Sequence, residues 1–208
     1  MKKTFILIAG VLVIIAALFI NARVSLAPGL AVGDYASDFS LKNVDGKMVS
    51  LSGYKDAKGV IVVFTCNTCP YANGYEQRII DLNNKYASKG FPMIAINPND
   101  VKQQPDDSME AMQKRAKEKN YTFPYVRDDS QEVAKKYGAT KTPHTYILSN
   151  NNGKFKVEFI GAIDDNPRDA DGVNVRYAED AIDAILKGKS PEVKEARAIG
   201  CTIKWKES

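Results

Sequence analysis

Apolar residues run unbroken from Val60 to Phe64 and again from Met93 to Ile96. Runs this short, rich in β-branched side chains, predict strands buried on both faces. Between them Tyr71, Tyr75, Ile79, Leu82 and Tyr86 recur at spacings of four, four, three and four. That period predicts an amphipathic helix reaching about residue 88, with Gly90 as its stop. A strand, helix and strand of these lengths predict a right-handed parallel crossover.

The flanking segments add smaller elements. Residues 39–44 and 48–51 alternate apolar and polar around Asp45-Gly46, which predicts a hairpin ahead of the crossover. Residues 106–120 read as a helix, with Met109, Met112 and Ala116 on one face and Glu110 and Lys114 paired four apart. A short strand follows at 123–126. Ser130 is placed to cap a helix that Gly138 ends. A strand over 142–148, a turn at 150–153 and a strand over 155–160 form a second hairpin. Residues 164–175 are a polar loop, more simply solvated than calcium-binding because the spacing of a calcium loop is absent. Ala178, Ala181, Ile182, Ile185 and Leu186 line a last helix ended by Gly188. The sum is an α/β domain.

Composition narrows this picture. With 208 residues, 44% hydrophobic and 26% charged, the chain is ordinary globular protein, long enough for one domain with a full core. Of the net charge of +4, Lys2, Lys3 and Arg23 supply three, and no acid lies before residue 30. The rest is nearly neutral, which gives no support to a nucleic-acid partner. The basic start, the uncharged run from Phe5 to Ile20 and Asn21-Ala22-Arg23 mark residues 1–27 as a signal peptide or an N-terminal membrane anchor. Ser25-Leu26-Ala27 resembles a cleavage site, but Pro28 would follow the cut, which tilts the balance to an anchor with the domain outside. Residues 28–32 are a linker, and 33–208 the domain. Either way the domain is expected to be exported to a periplasmic or extracytoplasmic compartment where disulfides form.

The candidate chemistry lies where the first buried strand becomes a helix, at Cys66-Asn67-Thr68-Cys69-Pro70. Unpaired N–H groups and the positive end of the helix dipole favour a thiolate there. Cys66 is the expected nucleophile and Cys69 the expected resolving thiol. Cys-x-x-Cys is also half of a zinc site, but only His144 and Cys201 remain as ligands and neither has paired spacing. The strand before and helix after favour redox chemistry, with no metal and no cofactor. His144, the only histidine, would modulate Cys66 if its ring faced that sulfur; as a strand residue beside Pro143 it more simply faces away. Cys201 is the odd thiol, either a third redox group or, more simply, a small buried hydrophobe.

These features together resemble the thioredoxin superfamily, and within it the alkyl hydroperoxide reductase/thiol-specific antioxidant group, or redoxins. The resemblance is carried by residues 33–39 with the Asp45-Gly46 hairpin, by Cys66 to Pro70, and by residues 123–126 with 132–138. It extends through Thr142-Pro143 about seventy residues later, the Gly153 hairpin and the tail from Cys201 to Lys206. It implies a thioredoxin-like fold: a central mixed sheet flanked by helices, with an N-terminal β-hairpin. It also implies a cis Pro143 facing the Cys66–Cys69 pair, which with Thr142 would shape the groove for a partner polypeptide. Two departures stand out. Residues 59–63 lack the Thr and Pro that peroxiredoxins carry ahead of the reactive cysteine, and residues 60–65 lack the buried acid that thioredoxins use to accept a proton.

The function expected is an exported thiol–disulfide oxidoreductase. Its partners would be protein thiols or disulfides and an upstream electron donor, with Cys66 attacking and Cys69 displacing the partner. A thiol peroxidase is the alternative within the superfamily. A binding module with a static disulfide is the alternative outside enzymes.

Overall fold

The computed structural model describes residues 29–207. Residues 1–28, with the leader, lie outside them. The strands are β1 (Ser40–Asn43), β2 (Met48–Ser50), β3 (Gly59–Phe64), β4 (Met93–Asn97), β5 (Tyr125–Arg127), β6 (Lys141–Thr142), β7 (His144–Asn151), β8 (Lys154–Gly161) and β9 (Cys201–Thr202). The helices are α1 (Pro70–Tyr86), α2 (Met109–Glu118), α3 (Glu132–Tyr137) and α4 (Tyr177–Leu186).

Seven strands form one mixed sheet in the order β2-β1-β5-β4-β3-β7-β8. The central strands β3, β4 and β5 are parallel; every other pairing in it is antiparallel. This is the thioredoxin-like architecture, with the predicted hairpin of β1 and β2 on one side. The unbroken apolar runs have their predicted cause, since every residue of β3 and β4 is buried. Alternate side chains serve opposite faces. Ile61, Val63, Met93 and Ala95 pack on one face under Tyr75, Ile79 and Leu82 of α1, Met112 of α2, and Ala178 and Ile182 of α4. Val60, Val62, Phe64, Ile94 and Ile96 pack on the other under Val133, Ala134 and Tyr137 of α3. Ile203 and Trp205 of the C-terminal tail join that second layer.

Two local expectations differ in detail. The start of α3 is held by Asp128, whose carboxylate accepts the Ala134 N–H at 2.8 Å; Ser130 accepts only from Glu132, at 3.3 Å. On α2 the ion pair at four-residue spacing is Lys114–Glu118, not Glu110–Lys114.

The tail is strapped to the body along its length. Ile160 exchanges backbone bonds with Lys194 and Ala196, the Ala162 N–H donates to the Ala196 carbonyl, and the Ile203 N–H donates to the Thr140 carbonyl. Lys204 and Lys206 N–H groups donate to the side chains of Asn99 and Gln131. Strand β9 then pairs with β6, opposing Cys201 to Thr142. Gly200 makes that approach feasible, because a Cβ there would lie 2.1 Å from the Thr142 carbonyl oxygen.

Candidate active site

Cys66 follows the last residue of β3 by two, and Cys69 is the N-cap of α1, with Pro70 as first helical residue. Proline fits there because its missing N–H would have had no partner in the first turn. The Thr142–Pro143 bond is cis, as the resemblance implied. Thr142 meets both sulfurs. Its hydroxyl lies 3.1 Å from Cys66 Sγ, and its carbonyl oxygen accepts from Cys69 Sγ at 3.1 Å. Cys66 and Cys69 are free thiols, 4% and 2% exposed.

The neighbouring Cys69 sulfur, burial and the nearby Asp107 charge push the Cys66 thiol up. The Cys66 thiol beside it lowers Cys69, against the opposing effect of burial. The Cys201 thiol and the N–H groups of Ala72 and Cys201 help. The Cys201 N–H lies 3.3 Å from Cys69 Sγ. These influences draw negative charge towards Cys69. The helix begins at Pro70, so its leading end addresses Cys69 rather than Cys66. Thr142 favours the opposite arrangement, with its hydroxyl donating to a Cys66 thiolate and its carbonyl accepting the Cys69 proton. Each of the two sulfurs thus has its own stabilising partners.

The spacer between the cysteines is held by an acid from elsewhere in the chain. Asp107 is fully buried, in the 3-10 turn Pro105–Asp107. Its carboxylate accepts the Asn67 N–H at 2.6 Å, the Thr68 hydroxyl at 2.9 Å, and the side-chain amides of Asn97 at 2.9 Å and Asn99 at 2.8 Å. Arg127 donates to its backbone carbonyl at 2.6 Å. The Asn67 side chain is fixed between the Tyr125 hydroxyl and the Asp106 carbonyl. Arg115, paired with Glu76 at 2.6 Å, donates to the Asn67 carbonyl. Sequence reasoning missed this network. Its signal was the polar series Asn97, Asn99 and Asp107 after a buried strand.

His144 falls as the simplest expectation had it, and Cys201 does not. The His144 ring packs 5.0 Å from the Tyr146 ring and lines a cavity with Lys141, Ile160 and Glu195. Among the described residues it hydrogen-bonds neither sulfur, and its Nδ1 has no partner. Burial, with the Lys141 charge, holds its imidazole down to about 4. Cys201 is half-buried beside Cys69 rather than sunk in the core, and burial together with its Cys69 neighbour pushes its thiol up to about 11. Asp164, in the polar loop, binds Arg78 at 2.7 Å and the Tyr75 hydroxyl at 3.0 Å, tying that loop to α1.

A thioredoxin fold with two thiols at a helix start, both in contact with the residue that precedes a cis proline, defines a redox protein of that superfamily. Residues 32–157 match the AhpC/TSA family, and the chain belongs to it. Among solved structures it is similar to an uncharacterized conserved protein from Geobacillus kaustophilus: 41% identity, 86% of this chain and 94% of that one covered, TM-score 0.79. A hypothetical protein from Sinorhizobium meliloti 1021 is 32% identical, over 86% and 97% of the two chains, with TM-score 0.80. Among characterised relatives, the thiol-disulfide oxidoreductase ResA of Geobacillus thermodenitrificans is 28% identical over 137 residues, 64% of this chain and 72% of that one.

Proposed function

We propose that the protein is an exported thiol–disulfide oxidoreductase that reduces protein disulfides through Cys66 and Cys69. The observation that carries this is the double grip of Thr142 on the two sulfurs beside the cis Pro143. The relatives named thiol-disulfide oxidoreductase support it. In the reduced pair a Cys66 thiolate accepts from the Thr142 hydroxyl, and the Cys69 thiol donates to the Thr142 carbonyl. Cys66 then attacks one sulfur of the partner disulfide. A bond forms between Cys66 and the partner, the partner's second sulfur leaves as a thiolate, and it takes up a proton. Cys69 loses its proton and attacks Cys66 Sγ, which closes the Cys66–Cys69 disulfide and releases the partner's remaining thiolate. An upstream dithiol returns two electrons.

The charged leader and the uncharged run from Phe5 to Ile20 support export, and protease accessibility in intact cells tests it. The peroxidase alternative is less well supported. The Thr and Pro that peroxiredoxins carry ahead of the reactive cysteine are absent from residues 59–63, before Cys66. The decisive experiment uses insulin as the test disulfide. The Cys69→Ala chain should accumulate a mixed disulfide on Cys66, and Cys66→Ser should lose insulin reduction. A Cys66→Ser chain that still turns over at the normal rate overturns the assignment.

A further inference from the structure

Cys201 is brought to the redox pair by long-range architecture, not by chance exposure. Strand β9 pairs with β6 so that Cys201 opposes Thr142, the residue that holds both sulfurs. The Cys201 N–H lies 3.3 Å from Cys69 Sγ. Cys66, Cys69, Ala72, Tyr71 and Cys201 form one cluster, separate from the two sheet cores. Of its three sulfur residues, Cys201 is the least buried.

Resting on the function proposed above, we infer that Cys201 is a third thiol of the redox centre, exchanging with Cys69 to form a Cys69–Cys201 disulfide. Starting from the Cys66–Cys69 disulfide, Cys201 loses its proton and its thiolate attacks Cys69 Sγ. The bond between Cys69 and Cys201 forms as the bond to Cys66 breaks. Cys66 leaves as a thiolate and takes up the proton. No electrons enter or leave. The exchange moves the disulfide from a pair that is 4% and 2% exposed to one that includes the half-buried Cys201. A donor thiol then meets the oxidised protein at the tail, while Cys66 is restored for its partner. The same tail occupies the edge of β6 ahead of Pro143, so substrate and tail compete for that strand.

The test is full-length protein equilibrated in glutathione redox buffers, quenched in acid, alkylated and mapped by mass spectrometry. In Cys66→Ser, most chains should lose both alkylatable thiols and yield a linked Cys69–Cys201 peptide. In the unaltered chain, oxidation should leave one alkylatable thiol, distributed between Cys66 and Cys201. The inference is overturned if Cys66→Ser gives only free thiols or glutathione adducts at every ratio. It is equally overturned if the unaltered chain cycles Cys66–Cys69 and reduces insulin while its spare thiol is always Cys201. That second result would leave the proposed function standing. Absence of any disulfide at Cys69 in the unaltered chain would remove both. Should Cys66→Ser not fold, mapping of the unaltered chain decides.

Discussion

Replacing Asp107 with Asn tests the buried acid with almost no change of shape. The carboxylate has four donors and, among the described residues, no cationic side chain on either oxygen. An asparagine offers one oxygen and one NH2 group. The oxygen can keep two donors; the NH2 group faces the other two. Rescue by turning neighbouring amides over is closed. Asn97 Oδ1 already accepts the Asn99 N–H at 3.1 Å, and Asn99 Oδ1 accepts the Lys204 N–H at 3.0 Å. The Thr68 hydroxyl can turn to accept from the NH2 group, whereas the Asn99 amide cannot, so one bond to a charged acceptor is lost, at about 1.5–3 kcal/mol in stability. That is a measurable part of the ~5–15 kcal/mol available to a domain. Urea unfolding followed by Trp205 fluorescence measures it. A second readout has the opposite sign. Because the Asp107 charge raises the Cys66 thiol, Asp107→Asn in a Cys69→Ala background should make Cys66 more acidic and faster to alkylate at neutral pH. A stability loss under about 0.5 kcal/mol, far below one such bond, would refute the claim that this carboxylate holds the spacer. Slower alkylation would refute the sign of its effect on Cys66.

Three further outcomes are expected. Thr142→Val keeps the carbonyl and removes the hydroxyl 3.1 Å from Cys66; in a Cys69→Ala background Cys66 alkylation near neutral pH should slow about tenfold, the equivalent of one bond of about 1.5 kcal/mol to a charged group. Unchanged alkylation would rule out hydroxyl donation to the thiolate. His144 stays neutral in the fold down to about pH 4, whereas in the unfolded chain it takes its proton near its ordinary 6.5. Its contribution is present in full above pH 6.5 and is lost as pH falls towards 4, by about 3 kcal/mol; urea titrations of His144→Gln should show that much less slope between those values. Gly200→Ala would set a Cβ 2.1 Å from the Thr142 oxygen and 3.0 Å from the Pro143 nitrogen. The tail should lift, with red-shifted Trp205 emission and faster Cys201 alkylation, and an unchanged spectrum would mean the tail is not pinned there.

Local signals carried most of the fold. The unbroken runs gave β3 and β4 because both strands are central and bury both faces. Spacing gave α1 and α4 because each is amphipathic against one sheet face. Gly90 and Gly138 stand at φ 97° and 73°, left-handed stops of the kind expected. Strand order was another matter. The β1 hairpin lies beside β5, more than eighty residues away (Tyr125 N–H to Asn43 Oδ1 at 2.9 Å), and nothing in either segment alone specifies that neighbour. The start of α3 shows the same limit on a small scale. Ser130 has the right chemistry and position for a cap, yet Asp128 two residues earlier reaches further and carries a full charge, so it takes the Ala134 N–H.

The site divides along the same line. Two cysteines three residues apart before a helix are legible because the chemistry is written within one turn. Asp107 and Cys201 act on those sulfurs from 40 and 132 residues away in contacting pairs, so only the folded topology unites them. Both alter the conclusion drawn from the local motif. A helix start alone predicts one acidic thiol, the first. With Asp107 beside Cys66 and the Cys201 N–H beside Cys69, the negative charge is drawn to the second thiol, and Thr142 can return it to the first. The direction of the first attack is therefore set by groups outside the Cys-x-x-Cys turn, and substitutions at Asp107, Thr142 or Cys201 should shift reactivity between the sulfurs while both cysteines stay in place.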